Sequence, residues 1–149
     1  MIIRRATLDD MPDAAMVHLI ARRVNLPYLP QTHSRDEVMG HFLTELYPTS
    51  QVWVSRTEDS MITGYAASTP GWLNHLYILP DYQGSGLGGK LLNLALEGQD
   101  EMQLWTFQQN KRARAFYEKR GFSLIRETDG ADNMEKTPDA LYAWRRPVA

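Results

Sequence analysis

Leu76-Tyr77-Ile78-Leu79-Pro80-Asp81-Tyr82-Gln83-Gly84-Ser85-Gly86-Leu87-Gly88-Gly89-Lys90-Leu91 decides the fold. An apolar strand-like run stops at Pro80-Asp81, a glycine cluster follows, and an amphipathic run with Leu87, Leu91, Leu94 and Ala95 on one face begins. Four of the ten glycines fall within six residues, Gly84 to Gly89. A strand, a glycine turn and a helix in that order leave free amide hydrogens at the positive end of the helix dipole, which favours phosphate. The plainer reading is a flexible turn whose glycines relieve packing.

Three phosphate-binding patterns compete for the cluster. Gly84, Gly86 and Gly89 satisfy G-x-G-x-x-G, but Pro80 to Gln83 lengthen the turn, and no acid ends the next strand, Leu104-Trp105-Thr106-Phe107. Gly84, Gly89 and Lys90 fit most of G-x-x-x-x-G-K-[ST], but Leu91 has no hydroxyl to hold magnesium. The third pattern is met in full. Gln83, Gly86 and Gly88 fit [QR]-x-x-G-x-[GA], and Asn110-Lys111-Arg112-Ala113-Arg114-Ala115-Phe116-Tyr117-Glu118-Lys119-Arg120-Gly121-Phe122 fits N-x-x-A-x-x-[FL]-Y-x-x-x-G-F. These two blocks, in this order and spacing, resemble the GCN5-related N-acetyltransferases (GNAT) over about the second half of the chain.

The rest of the chain agrees with that layout. Ile2 to Arg5 reads as a first strand, and Thr7 is placed to cap a helix through about Asn25, with Met11, Ala15, Val17, Leu19 and Ile20 on its inner side. Pro27 and Pro30 end it. Ser34 and Glu37 have capping-box spacing before a helix carrying Val38, Phe42, Leu43 and Leu46, which Pro48 is expected to close. Gln51–Ser55 and Ile62–Ala67 flank Glu58-Asp59-Ser60 and predict an antiparallel hairpin. Trp72–Leu79, Gln103–Phe107, Phe122–Ile125 and Leu141–Trp144 are further strands, with a helix from Asn110 to Arg120. The expectation is an α/β fold: a mixed, mostly antiparallel sheet of six to seven strands, with about four helices on both faces.

Composition sets the outer bounds. The 149 residues suit one domain spanning 1–149, which the resemblance implies is an N-acetyltransferase domain. No apolar run approaches a membrane span, and the charged start lacks a signal peptide's apolar stretch. A formal charge of -2 gives no general attraction to nucleic acid or anionic lipid. With no cysteine there is neither a thiol nucleophile nor a thiolate metal site, and no metal is expected; the cytoplasm is the expected compartment.

What the resemblance implies can be placed residue by residue. Acetyl-CoA would be the co-substrate, its pantetheine arm lying between two splayed strands. Leu76, Tyr77 and Ile78 would offer it backbone groups, and Gln83, Gly84, Ser85, Gly86, Leu87, Gly88 and Gly89 would hold the pyrophosphate. Asn110 would cap the next helix and contact the same arm. Tyr117 would be the catalytic acid, protonating the departing thiolate, although packing of its apolar helix face is the plainer reading. The basic residues of that helix read mainly as a solvated face.

Where some members of the resembled family carry a strand-five glutamate, this chain has Trp105, so the general base stays open among His75, His33, Glu135, Asp139 and water. His18 and His41 read as ordinary helix residues, and Asp129 to Asp139 as a solvated polar loop. The strand Leu104–Phe107 and the Thr128-Asp129-Gly130 turn also resemble a bacterial group of small acetyltransferases without a settled substrate. The acceptor implied is a primary amine of a small molecule or peptide. A non-catalytic acyl-CoA-binding or sensing module of the same fold is the alternative, and the resemblance allows a homodimer.

Overall fold

The computed structural model describes residues 1–148. Strand β1 (Ile2–Arg5) leads through a short turn of helix, Leu8–Asp10, into α1 (Met11–Asn25). Helix α2 (Arg35–His41) runs on through a π-helical turn, Phe42–Leu46, into the short α3 (Tyr47–Thr49). Then come β2 (Gln51–Arg56), β3 (Ile62–Thr69), β4 (Trp72–Ile78), α4 (Leu87–Leu96), β5 (Glu101–Phe107), α5 (Lys111–Lys119), β6 (Ser123–Thr128) and β7 (Asp139–Arg145). The seven strands form one sheet in the order β1-β2-β3-β4-β5-β7-β6. Every neighbouring pair is antiparallel except β4 and β5.

Strand alternation divides the core into two layers. On one face Ala66, Leu73, Met102, Leu104 and Tyr142 pack against Leu91, Leu92 and Ala95 of α4 and Tyr117 of α5. On the other, Val52, Val54, Tyr65 and Ala67 pack against Met11, Ala14, Ala15 and Val17 of α1 and against Phe42 and Leu46. The sheet is therefore covered on both sides, as the alternation of strands and helices in the sequence implies.

Three local expectations need correction. Pro48 does not stop its helix. The π turn, in which the Tyr47 N–H reaches the Phe42 carbonyl, puts Pro48 in the first turn of α3, where its missing N–H is not needed. Thr7 is an N-cap, but of the short turn Leu8–Asp10 that precedes α1 and not of α1 itself, its N–H and hydroxyl both reaching Asp10 at 2.8 and 3.2 Å. In α1 the inner positions go to Ala14 and Ala21, while Leu19 and Ile20 stay half-buried on the flank. The Ser34–Glu37 box forms as expected, with bonds of 3.1 and 3.0 Å. Among the described residues no helix is long and apolar enough to cross a membrane.

Candidate active site

The sheet opens where the site lies. Strands β4 and β5 share one registered pair, Trp72 with Gln103, and then diverge. Along the opened edge of β4 the ladder with β3 shows which backbone groups are free. The Leu79 N–H donates to the Thr63 carbonyl at 2.8 Å, and Tyr65 stands opposite Tyr77. Alternation in an antiparallel ladder then turns the Tyr77 amide toward β3, and those of Leu76 and Ile78 toward the gap. Of the three residues expected to offer backbone groups, Leu76 and Ile78 thus turn their amides to the gap and Tyr77 turns its own to β3. Tyr77 contributes its side chain, which packs on the α1 face.

The gap is a continuous cleft. A cavity of about 90 Å³ lies between β4 and β5, another of about 250 Å³ runs on toward the glycine turn, and Leu76, Tyr77, Asn110, Ala113 and Tyr117 line both. Gln83 spans the far end. Its amide nitrogen donates to the Ile78 carbonyl at 3.0 Å, and its oxygen accepts from Arg112 at 2.6 Å. Arg112 also lines the larger cavity, which singles it out from the basic residues of α5. No local sequence signal distinguished it from Arg114, which pairs with Glu127 and Tyr142 instead.

Within the glycine cluster the residues divide by task. Gly86 is the N-cap of α4 at φ +87°, a conformation that glycine adopts without penalty, so the amides that follow it start the helix. The Gly84 and Ser85 backbone is exposed, while the Ser85 hydroxyl is turned back onto the Tyr82 carbonyl. Leu87 buries its side chain. Gly88 and Gly89 lie against α5, where an added Cβ would come to 3.2 Å from Phe116 and 3.3 Å from Arg120. Those two glycines thus let α4 and α5 approach, whatever else they hold.

Asn110 caps α5, accepting the Ala113 N–H at 3.2 Å. Two turns on, Tyr117 is buried, with its ring set edge-on to Phe116 and Phe122 at 5.2 and 5.4 Å. Burial pushes its phenol well above the ordinary tyrosine range, so the hydroxyl keeps its proton at neutral pH.

Across β4 the structure sorts the proposed bases. His75 lines the smaller cavity, but its Nδ1 is bonded to the Tyr65 hydroxyl at 2.8 Å, and that hydroxyl also meets His18 Nδ1 at 3.1 Å. His18 is thus no ordinary helix residue: it belongs to a His18–Tyr65–His75 chain, two half-buried histidines on a buried tyrosine, that sequence spacing could not reveal. Burial lowers His75 to about 4 and His18 further, with positive neighbours adding to both. His33 is exposed, pairing with Glu37 at 3.3 Å and touching the Met134 sulfur. His41 is a surface residue beside Glu45.

The segment from Asp129 to Asp139 is largely the exposed loop expected of its composition, but Gly130, Thr137 and Asp139 within it are buried. Asp139 is buried and accepts from Asn133 at 3.0 Å and from the Thr128 hydroxyl, a structural clasp that takes it out of the list of bases. Glu135 is half-buried and pairs with Arg22 at 3.2 Å, and Arg22 also donates to the Tyr77 hydroxyl at 3.5 Å. Trp105 lines the smaller cavity, is 42% exposed, and carries the Arg126 guanidinium 5.3 Å above its ring.

Known proteins with this architecture are informative here. Residues 48–124 match the family described as the Acetyltransferase (GNAT) domain. An uncharacterised N-acetyltransferase of Archaeoglobus fulgidus is 30% identical over 133 residues, covering 78% of this chain and 89% of that protein. The solution structure of apo YjaB from Escherichia coli has the same fold, with a TM-score of 0.78 at 23% identity over 97% of this chain and 98% of that one. The PaiA N-acetyltransferase of Thermoplasma acidophilum, solved in complex with coenzyme A, superposes with a TM-score of 0.74 at 18% identity over 97% and 98%. Matching sequence blocks, a sheet opened between β4 and β5, and these likenesses meet in one conclusion: this chain belongs to the GNAT family of N-acetyltransferases.

Proposed function

We propose that the protein moves the acetyl group of acetyl-CoA directly to a primary amine of a small molecule or peptide, with Tyr117 as the acid. The observation that carries this reading is the position of Tyr117 on the wall shared by the two parts of the cleft. The cleft suits acetyl-CoA as a substrate. The amides of Leu76 and Ile78 face an unpaired gap, as a strand-like pantetheine arm requires, and the α4 N-terminus with Arg112 offers donors and positive charge to phosphate. Acetyl-CoA supplies the acetyl thioester.

The chain's own groups then have separate tasks. A gap-facing amide of β4, Leu76 or Ile78, stabilises the negative charge that builds on the acetyl oxygen. Tyr117 gives its hydroxyl proton to the sulfur as the carbon–sulfur bond breaks and the carbon–nitrogen bond forms. The phenol regains that proton from solvent, and the acceptor ammonium releases one, so the balance closes without a covalent acyl-enzyme. The acceptor proton is lost to bulk solvent, because the His75 Nδ1 is taken up by the Tyr65 hydroxyl at 2.8 Å and burial makes that imidazole less basic than usual.

The test is calorimetric titration with acetyl-CoA, with ATP and NAD as parallel controls, followed by amine-dependent thiol release. The reading expects saturable binding of acetyl-CoA alone and thiol release with at least one class of amine. Binding without transfer to any amine would make the protein an acyl-CoA sensor. No binding would overturn both.

A further inference from the structure

A third cavity, about 570 Å³, opens along the flank of α1 and is larger than either part of the cleft. Its floor is apolar, with Met16, Leu19, Ile20 and Leu29, which explains why Leu19 and Ile20 are left half-buried. Arg22, Arg23 and Arg35 stand around it. Arg22 is matched by Glu135, but Arg23 and Arg35 meet no carboxylate among the described residues. The cavity adjoins the cleft: Leu26 lines all three spaces, and Arg22 reaches from this cavity to the Tyr77 hydroxyl.

An apolar groove with two unmatched guanidinium groups, beside the place where an amine is acetylated, defines a ligand by complement. We infer that the acceptor is an amine whose other end is a carboxylate on an apolar body, the carboxylate seated on Arg23 and Arg35. Guanidinium groups take carboxylates through charge-assisted, two-pronged hydrogen bonds, and the apolar floor shelters the chain between the two ends. A simple cationic amine finds no use for this cluster, which would repel it. This inference rests on the acetyl-transfer reading for the amine end alone.

The test compares ω-amino acids of increasing length, up to 8-aminooctanoate, with alkylamines of the same length, by thiol release from acetyl-CoA. At the fitting length the amino acid should exceed the alkylamine by about tenfold or more in kcat/KM, chiefly through KM. In the double variant Arg23→Gln, Arg35→Gln that ratio should fall toward one. Alkylamines used as well as amino acids at every length, or a ratio that persists in the variant, would overturn the inference. Octanoate titrated without acetyl-CoA gives an answer independent of transfer. It should bind the wild-type protein and lose at least about tenfold in affinity in the variant. If no amine is acetylated yet octanoate binds in this way, the transfer reading fails and the carboxylate site stands. If octanoate does not bind, the site fails.

Discussion

Burial acts on Tyr117 and His75 in opposite senses, because it disfavours whichever form of each is charged. The phenol is held protonated and the imidazole is held neutral. For His75 the folded value is about 4 against an ordinary 6.5, so between those pH values the unfolded chain binds the extra proton. Stability is therefore complete above about 6.5 and is lost as pH falls toward 4, by on the order of 3 kcal/mol from this residue. Urea midpoints measured from pH 7.5 to pH 4 should fall with acidification, and His75→Gln should make the fall shallower. A slope unchanged by the substitution would show that His75 is not held neutral. Tyr117 could be read from the sequence because its block fixes it relative to Asn110 and Gly121. The His18–Tyr65 contact could not, since 47 residues separate the pair and only folding α1 over β3 joins them.

At the scale of elements, two attachments hold the site in shape. Helix α5 is fixed at its start by Asn110 and along its length by Tyr142, whose hydroxyl accepts from Arg114 at 2.9 Å and donates to Glu118 at 2.7 Å. Asn110→Ala removes the cap and should cost about 1 kcal/mol in a denaturant titration. Because Asn110 also lines the cleft, acetyl-CoA binding should weaken with it, which a substitution that affects folding alone would not produce. The second attachment is the clasp before β7. Gly130 has φ +82°, and an added Cβ would lie 2.2 Å from the Thr137 carbonyl oxygen. Gly130→Ala should therefore destabilise by about 2 kcal/mol or more, read as a lowered midpoint at unchanged urea slope. A neutral result would mean that the clasp yields freely. The strands and helices themselves were legible, since alternation and capping pairs such as Ser34–Glu37 are local. The clasp was not, because a run rich in Asp, Asn and Thr looks the same whether its polar groups meet water or one another.

For the molecule as a whole, the decisive feature is a sheet that fails to close. Five of its six neighbouring strand pairs are antiparallel, and the one parallel contact, β4 with β5, stops after Trp72 and Gln103. The unpaired edge, the α4 N-terminus and α5 then surround one cleft. The sequence blocks around Gly84–Gly89 and Asn110–Phe122 made this side of the site legible, because backbone recognition demands glycines at fixed places. The flank beyond the cleft was hidden. Arg22 and Glu135 are 113 residues apart and carry no fixed spacing, and the groove beyond Leu26, though drawn from the single stretch 16–35, follows no motif. The account turns on Tyr117 as the group that protonates the departing sulfur. The most direct measurement is single-turnover acetyl transfer by Tyr117→Phe, alongside its affinity for acetyl-CoA. The account predicts a transfer rate lower by about 100-fold or more, with acetyl-CoA affinity within about twofold of wild type. Transfer at the wild-type rate would contradict it.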